Sequence, residues 1–365
     1  MATPRVSIYR TDYEHAAEAV ERAVAEHAPP LAGKTVLVKP NILGAMPPEK
    51  HVNTHPAIVR AAIEAIERRG PARVMVGDNS GMRAYGSNEK AAEVAGIRDA
   101  GGGRYVNLGA SPVKTPVASA FADRLAVSRE VLQCDVLVSL PKMKTHVATG
   151  ITGAIKNSYG HLVGGEKTRL HREAQGPLAF ARAVVDVYQI RPPDLVVMDA
   201  VVAMEGQGPS GGRPRDVGCV LAATDGVALD TVMAAMMGLE PRLIPMLKEA
   251  EDRGLGTADL EAIQIDGPLE VVPDFKAPGV GQGFGTWISR LATYVFVTRP
   301  QVRYGKCVKC GSCVQACPVE AITMTDRGPV IDYGTCIACF CCHEMCRYGA
   351  MDLSRRMRLL QGLGR

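Results

Sequence analysis

The stretches YGKCVKCGSCVQACPVEAITM (304–324) and YGTCIACFCCHEMCRYGAMDL (333–353) repeat one another. The first carries Cys307-x2-Cys310-x2-Cys313-x3-Cys317 before Pro318. The second carries Cys336-x2-Cys339-x2-Cys342-x3-Cys346 before Arg347. Each of these cysteines recurs 29 positions on, as do Tyr304/Tyr333 and Ala321/Ala350, so the tail is an internal duplication. The x2 spacing lets one loop wrap a cubane and present three thiolates to three irons. A zinc ribbon also uses paired C-x2-C but takes four ligands, whereas each half here offers four with a third x2 step. Two 4Fe–4S clusters are the expected cofactors.

Over residues 301–353 the tail resembles the two-cluster bacterial ferredoxins, a small α+β fold. The resemblance implies that the fourth ligand of each cluster comes from the other half. It assigns Cys307, Cys310, Cys313 and Cys346 to one cluster and Cys336, Cys339, Cys342 and Cys317 to the other. Arg347 stands where the second motif usually carries proline, a change that bears on that cluster's potential through nearby charge and hydrogen bonds. Cys341 is surplus: it is either a buried apolar side chain or a competitor of Cys342, and regular spacing favours Cys342. A fold of this size needs staples, but two clusters exceed that need and point to passing single electrons.

The rest of the 365-residue chain is different in kind. Of 11 cysteines only Cys134 and Cys219 lie outside the tail. A secreted disulfide framework would not crowd one short segment, so the pattern fits metal in a reducing compartment. The start, MATPRVSIYR, lacks the apolar stretch of a signal peptide and no window approaches a membrane span. A cytoplasmic protein without a transmembrane segment is therefore expected. Net charge is +4 and aromatics are 5%, which argues against nucleic acid as a partner.

The body alternates strands and helices: KTVLVKPNIL (34–43), HPAIVRAAIEAIERRG (55–70), ARVMVGDNSG (72–81), SREVLQCDVLVSLPKMKTH (128–146), GPLAFARAVVDVYQI (176–190) and DLVVMDAVVAM (194–204). The strands are continuous apolar runs, as in buried strands of a mostly parallel sheet covered by helices. The expected fold is thus α/β, with a small C-terminal α+β bacterial-ferredoxin-like domain. Residues 1–272 form the body, 273–300 a Gly/Pro-rich connector with an apolar strut at 287–297, and 301–365 the cluster domain. A membrane-surface helix is the alternative for the strut, though its polar face has only Arg290.

Polar residues gather at the strand ends: Lys39 and Asn41, Asp78 and Asn79, Lys142 and Lys144, and Asp199. In open α/β sheets ligands bind beyond the carboxyl ends of the strands. Residues 141–172 add Lys156, Lys167, Arg169 and Arg172 against one acid, Glu166, with His146, His161, His171 and several glycines. Converging cations suit a carboxylate or phosphate, and histidine moves protons near neutral pH. Thr54 and His55 precede Pro56, where Thr54 is a plausible helix cap. Two loops are decoys. In GHLVGGEKT, Glu166 breaks the phosphate-loop spacing. Gly206–Gly211 matches G-x-G-x-x-G but contains Pro209 and is followed by no apolar helix; a loop closing over the substrate fits better. No nucleotide or flavin motif is present. Asp225 caps the helix that follows it, or is an active-site carboxylate.

VKPN (38–41), THP (54–56), VGD (76–78), LPKMKTH (140–146), TGAIKNSYG (152–160), the Lys167/His171 pair, GQGPSGG (206–212) and TDGVALD (224–230) resemble the family of the domain of unknown function 362. That family is widespread in prokaryotes and often carries a ferredoxin tail. The resemblance, over 34–240, implies an iron–sulfur protein. The lysine–histidine loops are also distantly similar to lactate racemase and its relatives, from which no nickel-cofactor residue is carried over.

The residues together predict an iron–sulfur oxidoreductase, a ferredoxin-linked reductase of an anionic or carbonyl-bearing unsaturated small molecule. Lys142, Lys144 and Lys167 would hold the substrate with Lys39, Asn41, Thr54, His55 and Asp78. Lys156 and Asn157 would position it, Asp78 and Asp199 would orient a histidine or lysine, and His146, His161 or His171 would supply protons. An external low-potential donor such as ferredoxin or flavodoxin is the expected partner, and a homodimer is compatible with these features. The alternatives are an electron carrier that docks a partner enzyme, and a redox-neutral acid–base enzyme whose clusters regulate or stabilise.

Overall fold

The computed structural model describes residues 3–81, 87–278 and 296–357. The strands of the main sheet are β1 (Arg5–Arg10), β2 (Thr35–Pro40) and β3 (Arg73–Val76). A separate hairpin pairs β4 (Pro112–Pro116) with β5 (Arg124–Ser128). The sheet continues with β6 (Val136–Leu140), β7 (Lys142–His146), β8 (Gly150–Thr152), β9 (Leu195–Glu205), β10 (Arg213–Ala223) and β11 (Gln264–Asp266). Its order is β11-β1-β10-β9-β6-β2-β3, with β7 paired to β9 and β8. The β9-β6-β2-β3 half is parallel, whereas β10 runs antiparallel to both β9 and β1.

Alternation along the central strands explains why they read as unbroken apolar runs. Leu37, Leu137, Val196 and Met198 enter one core, packed by the helices at Pro177–Ile190 and Gly226–Met236. Val36, Val38, Val136, Val138, Leu195 and Val197 enter a second, packed by the helices at Ala16–His27 and Pro56–Glu67. Side chains alternate across a strand, so a sheet covered on both faces needs apolar residues at every position.

The tail folds as two hairpin-like pairs, β12 (Phe296–Val302) with β15 (Met351–Met357) and β13 (Ile322–Thr325) with β14 (Gly328–Ile331). Short helices lie at Ser312–Gln315 and Cys341–Glu344. The strut expected at 287–297 falls outside the described residues except at Phe296 and Val297, which open β12. Among the described residues, no helix is long and apolar enough to cross a membrane.

Candidate functional site

The sheet carries buried lysines. Lys39, at the end of β2, pairs with Asp78 beyond β3 at 2.7 Å, both nearly inaccessible. Lys142 pairs with Asp199 across β7 and β9 at 2.7 Å. Burial pushes both ammonium groups down and their carboxylates push back. Lys144 has neutral partners instead, Asn41 Oδ1 at 2.7 Å and the Val52 carbonyl at 2.9 Å. Burial first, then the charges of Lys142 and Lys156, bring it to about 7. Lys167 donates to the Asn79 carbonyl and burial brings it too to about 7. Unpaired buried charge is costly, so these two lysines are poised to gain an anion or lose a proton.

Asp78 and Lys167 open on a cavity of about 60 Å³, lined also by Asn41, Lys156, Asn157 and His171, among others. Its chemistry comes from strand ends and from the segment after β8. There Asp230, from the helix at Gly226–Met236, accepts the Ala154 and Ile155 amides at 2.6 and 3.0 Å. This carboxylate pins the short helix Ala154–Asn157 that carries Lys156 and Asn157. Asn157 is held in turn by Lys39 Nζ on its carbonyl (2.7 Å) and by its own amide on Ser139 Oγ (2.9 Å). Lys156 Nζ sits 4.3 Å from the Tyr159 ring centroid, a cation–π contact. His171 Nδ1 donates to the Lys167 carbonyl at 2.7 Å. That bond fixes the tautomer and leaves Nε2, which has no partner among the described residues, as a lone pair on a cavity-lining residue. Burial drives His171 down to about 3.

Two lining residues come from the tail: Glu344 and Met345, between Cys342 and Cys346. Glu344 is buried, and burial raises its carboxyl against the pull of Lys156 and Lys144. Its Oε1 lies 3.3 Å from His146 Nε2. His146 accepts the Ala148 and Thr149 amides on Nδ1, and burial holds it well below its usual range. It is therefore a neutral ring with Nε2–H facing the carboxylate, rather than half of an ion pair. The loop at 206–212 grips the same short helix. Ser210 Oγ donates to the Glu344 carbonyl at 2.7 Å, and His343 Nε2 faces the Gln207 carbonyl at 3.1 Å. This loop was expected to close over substrate; it closes on the tail instead.

The backbone of the tail suits a loop wrapped around a cubane. Lys309 and Gly311 have φ of 55° and 75°, and their counterparts Ala338 and Phe340 have 53° and 63°, so both halves wrap alike. The Ala321 amide donates to Cys317 Sγ and the Ala350 amide to Cys346 Sγ, each at 3.2 Å. Cys313, Cys342 and Cys346 share one interior with Cys307, Cys317 and Cys336, so cysteines of both runs face each other. Cys341 is fully buried against Ala316 and Met345, and Cys339 packs on the same small cluster. All eleven cysteines are free of disulfides.

Of the expected site residues, the cavity gathers Asn41, Asp78, Lys156, Asn157, Lys167 and His171, with Lys39 and Lys144 bonded directly behind Asp78 and Asn41. Others are not brought there. Lys142, Asp199 and His55 form a network with Tyr13: its hydroxyl meets Lys142 Nζ at 2.8 Å and its ring stacks on His55 at 3.7 Å. His55, not Thr54, caps the helix, accepting the Ala57 amide; Thr54 bonds the Leu140 carbonyl. His161 is buried but lines no part of the cavity, and His146 stands behind Glu344. Asp225 is a cap, accepting the Val227 and Ala228 amides. Tyr159, Glu344 and Met345 went unnoticed in the sequence. For the last two a signal existed: Val314-Gln315-Ala316 of the first half becomes His343-Glu344-Met345 in the second.

The chain is 32% identical over 262 residues to the thylakoid-associated protein sll1697 of Synechocystis sp., a match covering 68% of this chain and 77% of that protein. Solved structures give fainter likenesses. A Thermotoga maritima protein aligns with a TM-score of 0.43 at 14% identity, over 64% of this chain and 61% of that one. The lactate racemase apoprotein of Thermoanaerobacterium thermosaccharolyticum aligns with 0.43 at 8%, over 64% and 56%. The chain thus spans about six-tenths of either solved structure. A family model of the 4Fe-4S binding domain matches residues 300–323. The family model described as domain of unknown function (DUF362) matches residues 36–235, more than half of the chain, and the chain belongs to that family.

Proposed function

We propose that the protein is a reductase in which two 4Fe–4S clusters serve an anionic, unsaturated or carbonyl-bearing small molecule bound in the lysine pocket. The observation that carries this reading is the shared wall: Glu344 and Met345, set between two proposed cluster ligands, line the same cavity as Lys156, Lys167 and His171. The proposed ligand sets are Cys307, Cys310, Cys313 and Cys346, and Cys336, Cys339, Cys342 and Cys317. When bound, the clusters supply single electrons, ultimately from an external low-potential donor such as ferredoxin or flavodoxin. The chain's own residues do the rest. Lys156 and Lys167 attract the anion, and Asn41 and Asn157 orient it by hydrogen bonds. Saturating one C=C or C=O bond consumes two electrons and two protons. Lys167, at about 7, is suited to give one of these protons near neutral pH, the other coming from water. His171, at about 3 with a bare Nε2, accepts a hydrogen bond or a proton and does not start as a donor. A cytoplasmic setting suits oxygen-sensitive clusters; thylakoid association is stated of the Synechocystis relative.

The test is re-oxidation of the anaerobically reduced full-length protein by a panel of 2-oxo and α,β-unsaturated acids, followed by cluster absorbance. One class of acid should re-oxidise the clusters faster than the neutral amide of the same skeleton. Lys156→Ala and Lys167→Ala should each slow that reaction by about tenfold or more, since one lost charge-assisted contact is worth roughly 1.5–3 kcal/mol. Rates indifferent to both charge and substitution would reject the reading.

A further inference from the structure

Beside the lysine pocket lies a second cavity of about 150 Å³. Leu43, Gly81 and Met345 line both, so one thin wall divides them. This second cavity, outer in that it lies farther from Lys156 and Lys167, has different chemistry. Ala45, Met46 and Ala91 make it largely apolar, and its charged lining residues, Lys90 and Arg347, are both cations. No acid lines it among the described residues.

Part of the wall is a flexible side chain. Met345 is an unbranched thioether with three rotatable bonds, the side chain best able to swing aside. It packs against Gly81, where an added Cβ would lie 3.0 Å from the Met345 sulfur and 2.7 Å from the Leu43 carbonyl oxygen. The missing side chain at 81 is what lets the thioether lie there. Arg347, which replaces the proline found at this point of the first half, stands on the outer cavity.

We infer that the substrate is an amphipathic acid. Its anionic head sits by Lys156, Lys167 and His171 in a pocket that Asp78 and Glu344 also line, and an apolar body of several carbons passes Met345 into the second cavity, beside Lys90 and Arg347. This rests on the anion-pocket reading above and adds the shape and polarity of what binds.

The experiment is calorimetric titration of the anaerobic, cluster-loaded full chain with straight-chain carboxylates: acetate, butanoate, hexanoate and octanoate. Affinity should rise by roughly fourfold per added methylene until the outer cavity is full. Ala45→Phe, on a partly exposed loop, should flatten the series, whereas Lys156→Ala should weaken every length by a similar factor. Acetate binding with no gain along the series would overturn the inference and leave the lysine pocket standing. Failure of every carboxylate to bind would overturn both.

Discussion

Gly160 has room for a hydrogen and nothing larger, because a Cβ there would collide with Asp78 Oδ1 and Lys39 Nζ. The buried ion pair behind the pocket thus passes over a bare backbone. Gly160→Ala should force that pair apart and cost about 1–3 kcal/mol or more, read as a lower urea midpoint with unchanged slope. The lysines make a second claim at this scale. Lys144 and Lys167 sit near 7 because burial disfavours their charge, whereas an exposed lysine keeps its proton to about pH 10. The protonated form binds an anion. Lys167 is the one of the two that lines the cavity, so affinity for a carboxylate should be level below about pH 7 and fall above it, by up to about tenfold per pH unit. Titrations between pH 6 and 9 check this; an affinity level to pH 9 would show that Lys167 is ordinary. Chemical type was legible in the sequence here, since Lys39, Asn41, Asp78, Lys156, Asn157, Lys167 and His171 were all picked out. Pairing was not, because Lys142 and Asp199 look no different from Lys39 and Asp78 until the register of β7 on β9 is known.

The helix Ala154–Asn157 is one turn long and cannot hold itself. Its stability is borrowed from Asp230, which takes its first two amides and whose carboxylate leaves no room for a Cβ at Gly153. Asp230→Ala leaves two buried amides unsatisfied, at about 1–3 kcal/mol each. It should lower the melting temperature and loosen Lys156 and Asn157 together, so anion affinity drops although no pocket residue has changed. Unaltered affinity would detach this helix from the site. The strands were readable because two covered faces demand apolar residues throughout; β2, β3, β6 and β9 fall where the runs do. β7 was hidden: KMKTH looks polar, yet all five residues are buried, and the lysines are satisfied by partners far along the chain.

At the level of the whole molecule, the tail is part of the pocket rather than an appendage to it. Duplication in the cysteine spacing revealed the module, but its docking lay in the differences between the halves: His343 for Val314, Glu344 for Gln315 and Arg347 for Pro318. These three of the residues that break the repeat meet the body, through Gln207, Ser210 and His146, or stand on the outer cavity. Because Glu344 and Met345 wall the pocket while their neighbours Cys342 and Cys346 are the proposed ligands, an anion among the lysines must alter the field at a cluster. The direct measurement is the electron paramagnetic resonance spectrum of the reduced full-length protein, titrated with hexanoate under anaerobic conditions. One cluster's signal should shift saturably with the same affinity seen by calorimetry, and Lys156→Ala should abolish the shift. A spectrum unchanged at saturating ligand would contradict the shared wall on which the account rests.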